Sequence, residues 1–299
     1  MSDTHTKKTI FRGAATAIVT PFQNDRIDYE AFGKLLEYQI KNQIDAIVVC
    51  GTTGESATLS DSEHREIISY AVEKAAGRIP VIAGTGSNET AYSVELSKHA
   101  AEAGADALLL VTPYYNKASE KGLIKHFQTI AESTDKPVIL YNVPSRTGTN
   151  ISMRVYRELA KHPQIVAVKE ASGDFNKIAE IAAECGDMLD IYSGNDNQIV
   201  PILSLGGKGV ISVLSNIMPK ETHDMCQFFF DGNVQESTKL QLKLLDLINA
   251  LFIEVNPIPI KTAMGLLGYF GDQMRLPLCE MEDANKEKLC SVLKKHGLL

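Results

Sequence analysis

The chain has 299 residues and a mass of 32.7 kDa, and its 44% hydrophobic content is ample for a sizeable core in one large α/β domain or two ordinary ones. Its 30 Lys and Arg against 37 Asp and Glu give a formal net charge of −7, with no basic run denser than Lys294-Lys295, so the electrostatic footprint of a nucleic-acid binder is missing. No run approaches the roughly 18 apolar residues of a membrane span, and the polar stretch at residues 1–8 is not followed by a signal-peptide apolar segment, which together predict a soluble, cytoplasmic protein with no membrane partner.

A first β-branched run at residues 17–20 predicts a strand, and a second follows at 46–50. The second leads into Gly51-Thr52-Thr53-Gly54-Glu55-Ser56, two adjacent hydroxyls between glycines that let the backbone turn its N–H groups toward a ligand. A carboxylate or phosphate suits that loop; an ordinary turn leading to a helix N-cap at Ser60 or Ser62 is the alternative. A period of 3.6 residues predicts helices at 62–76, 89–103, 120–131 and 176–185, interleaved with strands at 81–83, 107–111, 138–141, 165–168, 190–193 and 209–213.

After the fourth strand comes Thr112-Pro113-Tyr114-Tyr115-Asn116, where one tyrosine can face inward while the other faces a neighbour. The fifth strand ends at Tyr141 and runs into a loop carrying Arg146, whose planar fork suits a substrate carboxylate, although a solvated loop arginine reads equally from the sequence. The sixth strand, Ile165-Val-Ala-Val168, delivers Lys169 toward the interior. A lysine held out of water loses its preference for charge, and a neutral amine attacks a carbonyl to form a Schiff base. Tyr141, one strand earlier at the same rim, is placed to shuttle protons. The alternatives are a lysine that snorkels to solvent and a core tyrosine with a satisfied hydroxyl.

Eight strands alternating with helices, one starting about every 30 residues, argue for a parallel sheet covered by helices. The simplest closure is a (β/α)8 TIM barrel, with an open doubly wound sheet as the competitor. From about Pro219 the strand signal ends, and amphipathic stretches at 234–252 and 283–295 predict a C-terminal helical extension. The expected division is therefore a barrel carrying the site in residues 1–230 and a helical domain in 231–299. Between barrel and extension, the prolines of Asn256-Pro-Ile-Pro-Ile-Lys261-Thr262 suggest a rigid connection, with Lys261 in a structural role.

No glycine turn completes GxGxxG and no Walker motif is present, so no nicotinamide cofactor, and no other cofactor, is expected. Five cysteines without a CxxC pair predict free thiols, and seven scattered histidines without HxxxH or HExxH spacing predict no metal site.

The runs GTTGES, TPYYN, YNVPSRTG, VKEASGD, SGND and NPIPIKTA, spaced over about residues 11–290, resemble the dihydrodipicolinate synthase family. The resemblance implies a (β/α)8 barrel with a C-terminal helical domain, assembled as a homotetramer, a dimer of tight dimers. It implies condensation of pyruvate with aspartate semialdehyde in the diaminopimelate route to lysine. It makes Lys169 the Schiff-base lysine, Tyr141 the proton shuttle, Thr52 the hydroxyl linking Tyr141 to Tyr115, and Tyr115 a residue reaching into the partner subunit's site. It likewise assigns Thr53 to the pyruvate carboxylate, Arg146 to the semialdehyde carboxylate, and Gly194 and Ile211 to main-chain contacts near the imine.

The wider superfamily uses the same lysine and tyrosine in N-acetylneuraminate lyase and keto-deoxy-sugar acid aldolases, which stand as the alternative activity. A barrel that senses a keto acid without turnover is a third. The family's lysine-feedback site is matched in part, by Ser56, Ala57, His64, Asn88 and Tyr114. Asp61 stands where inhibitable enzymes carry histidine and Tyr92 where they carry glutamate, so weak or absent inhibition by lysine is expected.

Overall fold

The computed structural model describes residues 7–299; of the polar N-terminal stretch, residues 1–6 lie outside it. Among the described residues, eight parallel strands close into a barrel with the helices outside, as expected, rather than into an open doubly wound sheet. In chain order they are β1 (Gly13–Ala17), β2 (Ala46–Val49), β3 (Val81–Gly84), β4 (Ala107–Val111), β5 (Val138–Asn142), β6 (Ile165–Glu170), β7 (Asp190–Ser193) and β8 (Gly209–Ser212).

The strands read as continuous apolar runs because both of their faces are covered. Successive residues divide between two cores: Val48, Ile82, Leu109, Ile139, Tyr141 and Tyr192 fill the barrel, while Ile47, Leu108, Val138 and Leu140 meet the helices. Between β5 and β6 the register slips by one residue, from Val138 opposite Ile165 to Ile139 opposite Ala167. Beyond that bulge Ala167 and Lys169 share one face of β6, and Val168 and Glu170 the other.

Two expectations need correction. The first strand lies at Gly13–Ala17, not at 17–20. Its place is set by close approach to β8: a Cβ built on Gly209, whose φ is +150°, would lie 1.7 Å from the Gly13 carbonyl oxygen. Small residues therefore make the strand, and the β-branched residues Ile18 and Val19 are buried core just beyond it, where the Asn216 side chain accepts from the Val19 N–H at 3.2 Å. The amphipathic stretch at 234–252 is not one helix either; it bends at Leu244 into Val234–Lys243 and Leu245–Ala250, a turn that brings Leu244, Leu247 and Leu251 together into the core.

A two-stranded hairpin, Phe22–Gln23 with Arg26–Ile27, went unread in the sequence. Asn24 and Asp25 make its turn with φ of 51° and 58°, the left-handed geometry that suits a tight hairpin. The helix Asp61–Ala75 opens on Ser60, whose hydroxyl accepts from the Glu63 N–H while the Glu63 carboxylate accepts from the Ser60 N–H. Toward the C-terminus, Pro219–Phe230 packs on β1 and on Val234–Lys243, and Ile258–Leu266 packs on Asp283–Lys295. Among the described residues, no helix is long and apolar enough to cross a membrane, and Cys50, Cys185, Cys226, Cys279 and Cys290 are free.

Candidate active site

Lys169 lies at the C-terminal end of β6, where barrel enzymes carry their catalytic groups. It is buried, with 6% of its surface exposed. Tyr141 on β5 stands directly opposite it in the strand register, and the Lys169 Nζ sits 4.3 Å from the centroid of the Tyr141 ring. The Nζ thus lies over the face of the phenol ring, which places the amine and the phenol side by side at the rim. Snorkelling to solvent is thereby excluded for this lysine.

The other face of β6 is held by a buried polar cluster. The Glu170 carboxylate accepts from Tyr156 Oη at 2.8 Å, from Asn142 Nδ2 at 3.0 Å and from the Ser172 N–H at 2.8 Å. Burial, with the adjacent Glu170, pushes the Tyr156 phenol well above its ordinary range. Because Asn142 comes from β5 and Tyr156 from the helix Met153–Leu159, the cluster fixes the strand end that presents Lys169. The sequence reading did not find it, although alternation along β6 requires an outward Glu170 once Lys169 points inward.

Beyond β7, Gly194 donates its N–H to the Glu170 carbonyl at 2.8 Å, and a Cβ there would lie 2.5 Å from that of Ala171. Asp196 is buried nearby; its Oδ2 accepts from the N–H groups of Val213 and Leu214 at 3.0 and 2.9 Å, and its Oδ1 has no partner among the described residues. Burial raises its carboxyl above the ordinary range, against the opposing pull of Ser212, those two N–H groups and Lys169. Ile211 is buried on β8 among the residues that fill the barrel.

The Gly51–Ser56 loop follows β2. Thr53 is buried, and its hydroxyl oxygen accepts from Asn256 Nδ2 at 3.0 Å. The main-chain oxygen of the same Asn256 accepts from Arg146 Nη2 at 3.0 Å. One residue thus joins the two candidate carboxylate binders, and Asn256 Oδ1 is buried with no partner among the described residues. Asn256 stands in the NPIPIKTA run, a signal that could have found it. Thr52, Arg146, Val143 and Asn256 line a cavity of about 420 Å³ that reaches Val111, the register partner of Tyr141.

Ser56, Ala57, His64, Tyr92 and Tyr114 line the same cavity, while Asn88 does not, its carbonyl accepting from Asn116 Nδ2 at 2.9 Å. Burial pushes the His64 imidazole below its ordinary value, and its Nε2 lies 2.8 Å from the Gly84 carbonyl oxygen, so Nε2 carries the proton that is donated. Asp61 is held below its ordinary value first by Arg65, 2.9 Å away, and also by the Tyr92 phenol. Tyr115 is not brought to Thr52 within one chain: it is 92% exposed at a φ of 69°. Among the described residues, no three His, Cys, Asp or Glu side chains come together as a metal site.

The Dihydrodipicolinate synthetase family model matches residues 10–296. A 4-hydroxy-tetrahydrodipicolinate synthase of Clostridium perfringens is 56% identical over 290 residues, 97% of this chain and all of that protein. The dihydrodipicolinate synthase of Aquifex aeolicus superposes with a TM-score of 0.94 at 46% identity, over 96% of this chain and 99% of that one. The dihydrodipicolinate synthase of Acinetobacter baumannii, solved in complex with pyruvate, gives a TM-score of 0.95 at 41% identity, over 97% and 100%.

Proposed function

The chain belongs to the dihydrodipicolinate synthetase family, and from that premise we propose how its residues share the chemistry. The activity is that of a 4-hydroxy-tetrahydrodipicolinate synthase, a Schiff-base-forming lyase of lysine biosynthesis that condenses pyruvate with L-aspartate 4-semialdehyde. The sugar-acid lyase alternative is not favoured, because relatives that match nearly the full chain carry the synthase name.

In the proposed sequence the Lys169 amine attacks C2 of pyruvate, and Tyr141 moves the protons by which the carbinolamine loses water to give an imine. Loss of a methyl proton gives the enamine, whose carbon attacks the aldehyde carbon to form the new C–C bond while the aldehyde oxygen takes up a proton. The amino group of the semialdehyde portion then displaces Lys169 from the imine carbon, closing the ring and freeing the enzyme. Thr53 holds the pyruvate carboxylate, Arg146 the semialdehyde carboxylate, and Gly194 and Ile211 contribute main-chain contacts. Thr52 links Tyr141 to Tyr115 of a second subunit, which fits a side chain left exposed in its own chain. The reading includes a cytoplasmic tetramer built as two tight dimers, with the barrel in residues 1–230 and a helical domain in 231–299.

The observation that carries this reading is the buried Lys169 facing the Tyr141 ring at 4.3 Å. Its test is turnover of pyruvate with aspartate semialdehyde, coupled to an excess of the next reductase, with N-acetylneuraminate cleavage run in parallel. Synthase turnover that collapses in Arg146→Ala supports it; release of pyruvate from the sugar acid alone would overturn it.

A further inference from the structure

The loop that carries Thr52 and Thr53 is gripped at Glu55, whose backbone sits in the left-handed region with a φ of 53°. The Glu55 side chain is 1% exposed, and Lys261, 0% exposed, arrives from the helix Ile258–Leu266 to place its Nζ 2.5 Å from Oε1. Lys261 also donates to the Thr20 carbonyl at 2.9 Å and lies 4.4 Å from the centroid of the Phe22 ring. Thr20 in turn donates its hydroxyl to the Gly54 carbonyl at 2.7 Å, so Lys261 grips the loop twice, once through Glu55 and once through Thr20. The second Glu55 oxygen accepts from the Arg275 N–H at 3.3 Å. An ion pair taken out of water recovers little beyond its own desolvation, so its yield is geometry rather than stability. The geometry here is that of the segment holding the two hydroxyls.

We infer that Lys261 and Glu55 are positioning residues for the reaction: the pair fixes the Gly51–Ser56 loop so that the Thr53 hydroxyl meets the keto-acid carboxylate, and the C-terminal helices thereby set affinity for the first substrate. This rests on the proposed role of Thr53 as that carboxylate's partner. Lys261 lies outside the lining of the site cavity, and Glu55, which borders it, has both carboxylate oxygens engaged by Lys261 and the Arg275 N–H, so the pair acts through the loop rather than on the substrate.

The single variants Lys261→Met and Glu55→Gln each strand a buried polar or charged partner and are expected to unfold. The test is therefore the double variant Lys261→Met/Glu55→Gln, which keeps both shapes and removes both charges. Its thermal midpoint is expected to stay within about 5 °C of the parent. The pyruvate concentration that half-saturates borohydride trapping on Lys169 should rise about tenfold, the scale of one lost charge-assisted hydrogen bond, with the same rise in KM for pyruvate and less than about a threefold fall in kcat.

A folded double variant with parental half-saturation overturns the inference. A double variant that does not fold overturns it too, because the pair would then hold the fold rather than the loop. Trapping needs no second substrate: if the parent traps pyruvate but ignores the semialdehyde, the synthase reading fails while the positioning role is still decided. A parent that traps no pyruvate at all removes the role of Lys169, and this inference with it.

Discussion

Acid should release one identifiable tether of the helix that follows the Thr52–Thr53 loop. Glu63 in the first turn of Asp61–Ala75 receives both arms of Arg275, Nη1 at 2.8 Å and Nη2 at 2.6 Å, and accepts from the Ser60 N–H at 2.9 Å. Those contacts, the Arg275 bond first, hold its carboxyl at about 2 instead of 4.5. A depressed folded value contributes stability above the unfolded value that is lost as pH falls through the folded one, here from about pH 5 down to about pH 2. At about 1.4 kcal/mol per pH unit the ceiling is about 3 kcal/mol, and with 23% of the side chain exposed, solvent screening brings the expected contribution to about 1–2 kcal/mol. Urea unfolding of the parent and of Glu63→Gln at pH 7 and pH 3 measures it. The gap between the two proteins should be about twice as large at pH 7 as at pH 3. An equal gap at both pH values would refute the assignment.

Three further outcomes follow from the geometry. His223 is raised above its ordinary 6.5 chiefly by its bond to Asp45, 2.9 Å away, so its contribution is complete below pH 6.5 and is lost as pH rises through the folded value; His223→Gln should flatten the fall in Tm between about pH 6 and pH 9, and an unchanged slope contradicts this. Gly194→Ala drives a Cβ to 2.5 Å from that of Ala171 and 3.0 Å from the Glu170 carbonyl oxygen, beside the lysine strand. It should cost about 1–3 kcal/mol of stability and at least about tenfold in kcat/KM, checked by thermal melts and initial rates. Lysine should inhibit weakly or not at all, because Asp61 is engaged by Arg65 and Tyr92 offers the amino group no carboxylate. The missing charge-assisted bond, about 1.5–3 kcal/mol, weakens binding on the order of 10- to 150-fold, and a sub-millimolar inhibition constant would sink this expectation.

Strand positions and the rim that bears Lys169, Tyr141 and Arg146 were legible because period-2 and period-3.6 patterning are local properties of the chain. Where a long-range constraint overrides local preference, the sequence misled. The first strand follows glycine contact between Gly13 and Gly209 rather than the β-branched run at 17–20. The stretch at 234–252 bends because Leu244, Leu247 and Leu251 share one core. Asn256 stood in a recognised run, but its bonds to Thr53 and Arg146 span 203 and 110 residues and become visible only in the fold. Glu170 was in view as part of the lysine motif, yet its partners Asn142 and Tyr156 become visible only once β5 and β6 are paired. Tyr115 shows the opposite limit: its exposure in one chain is legible in the fold, and the role proposed for it needs a second subunit.

The measurement that bears most directly on the central claim is borohydride reduction in the presence of pyruvate, followed by peptide mass mapping. A single reduced pyruvate adduct on the peptide containing Lys169, absent from Lys169→Met and lost when pyruvate is omitted, is the predicted result. An adduct on Lys261 or on surface lysines, or full synthase turnover by Lys169→Met, would contradict it.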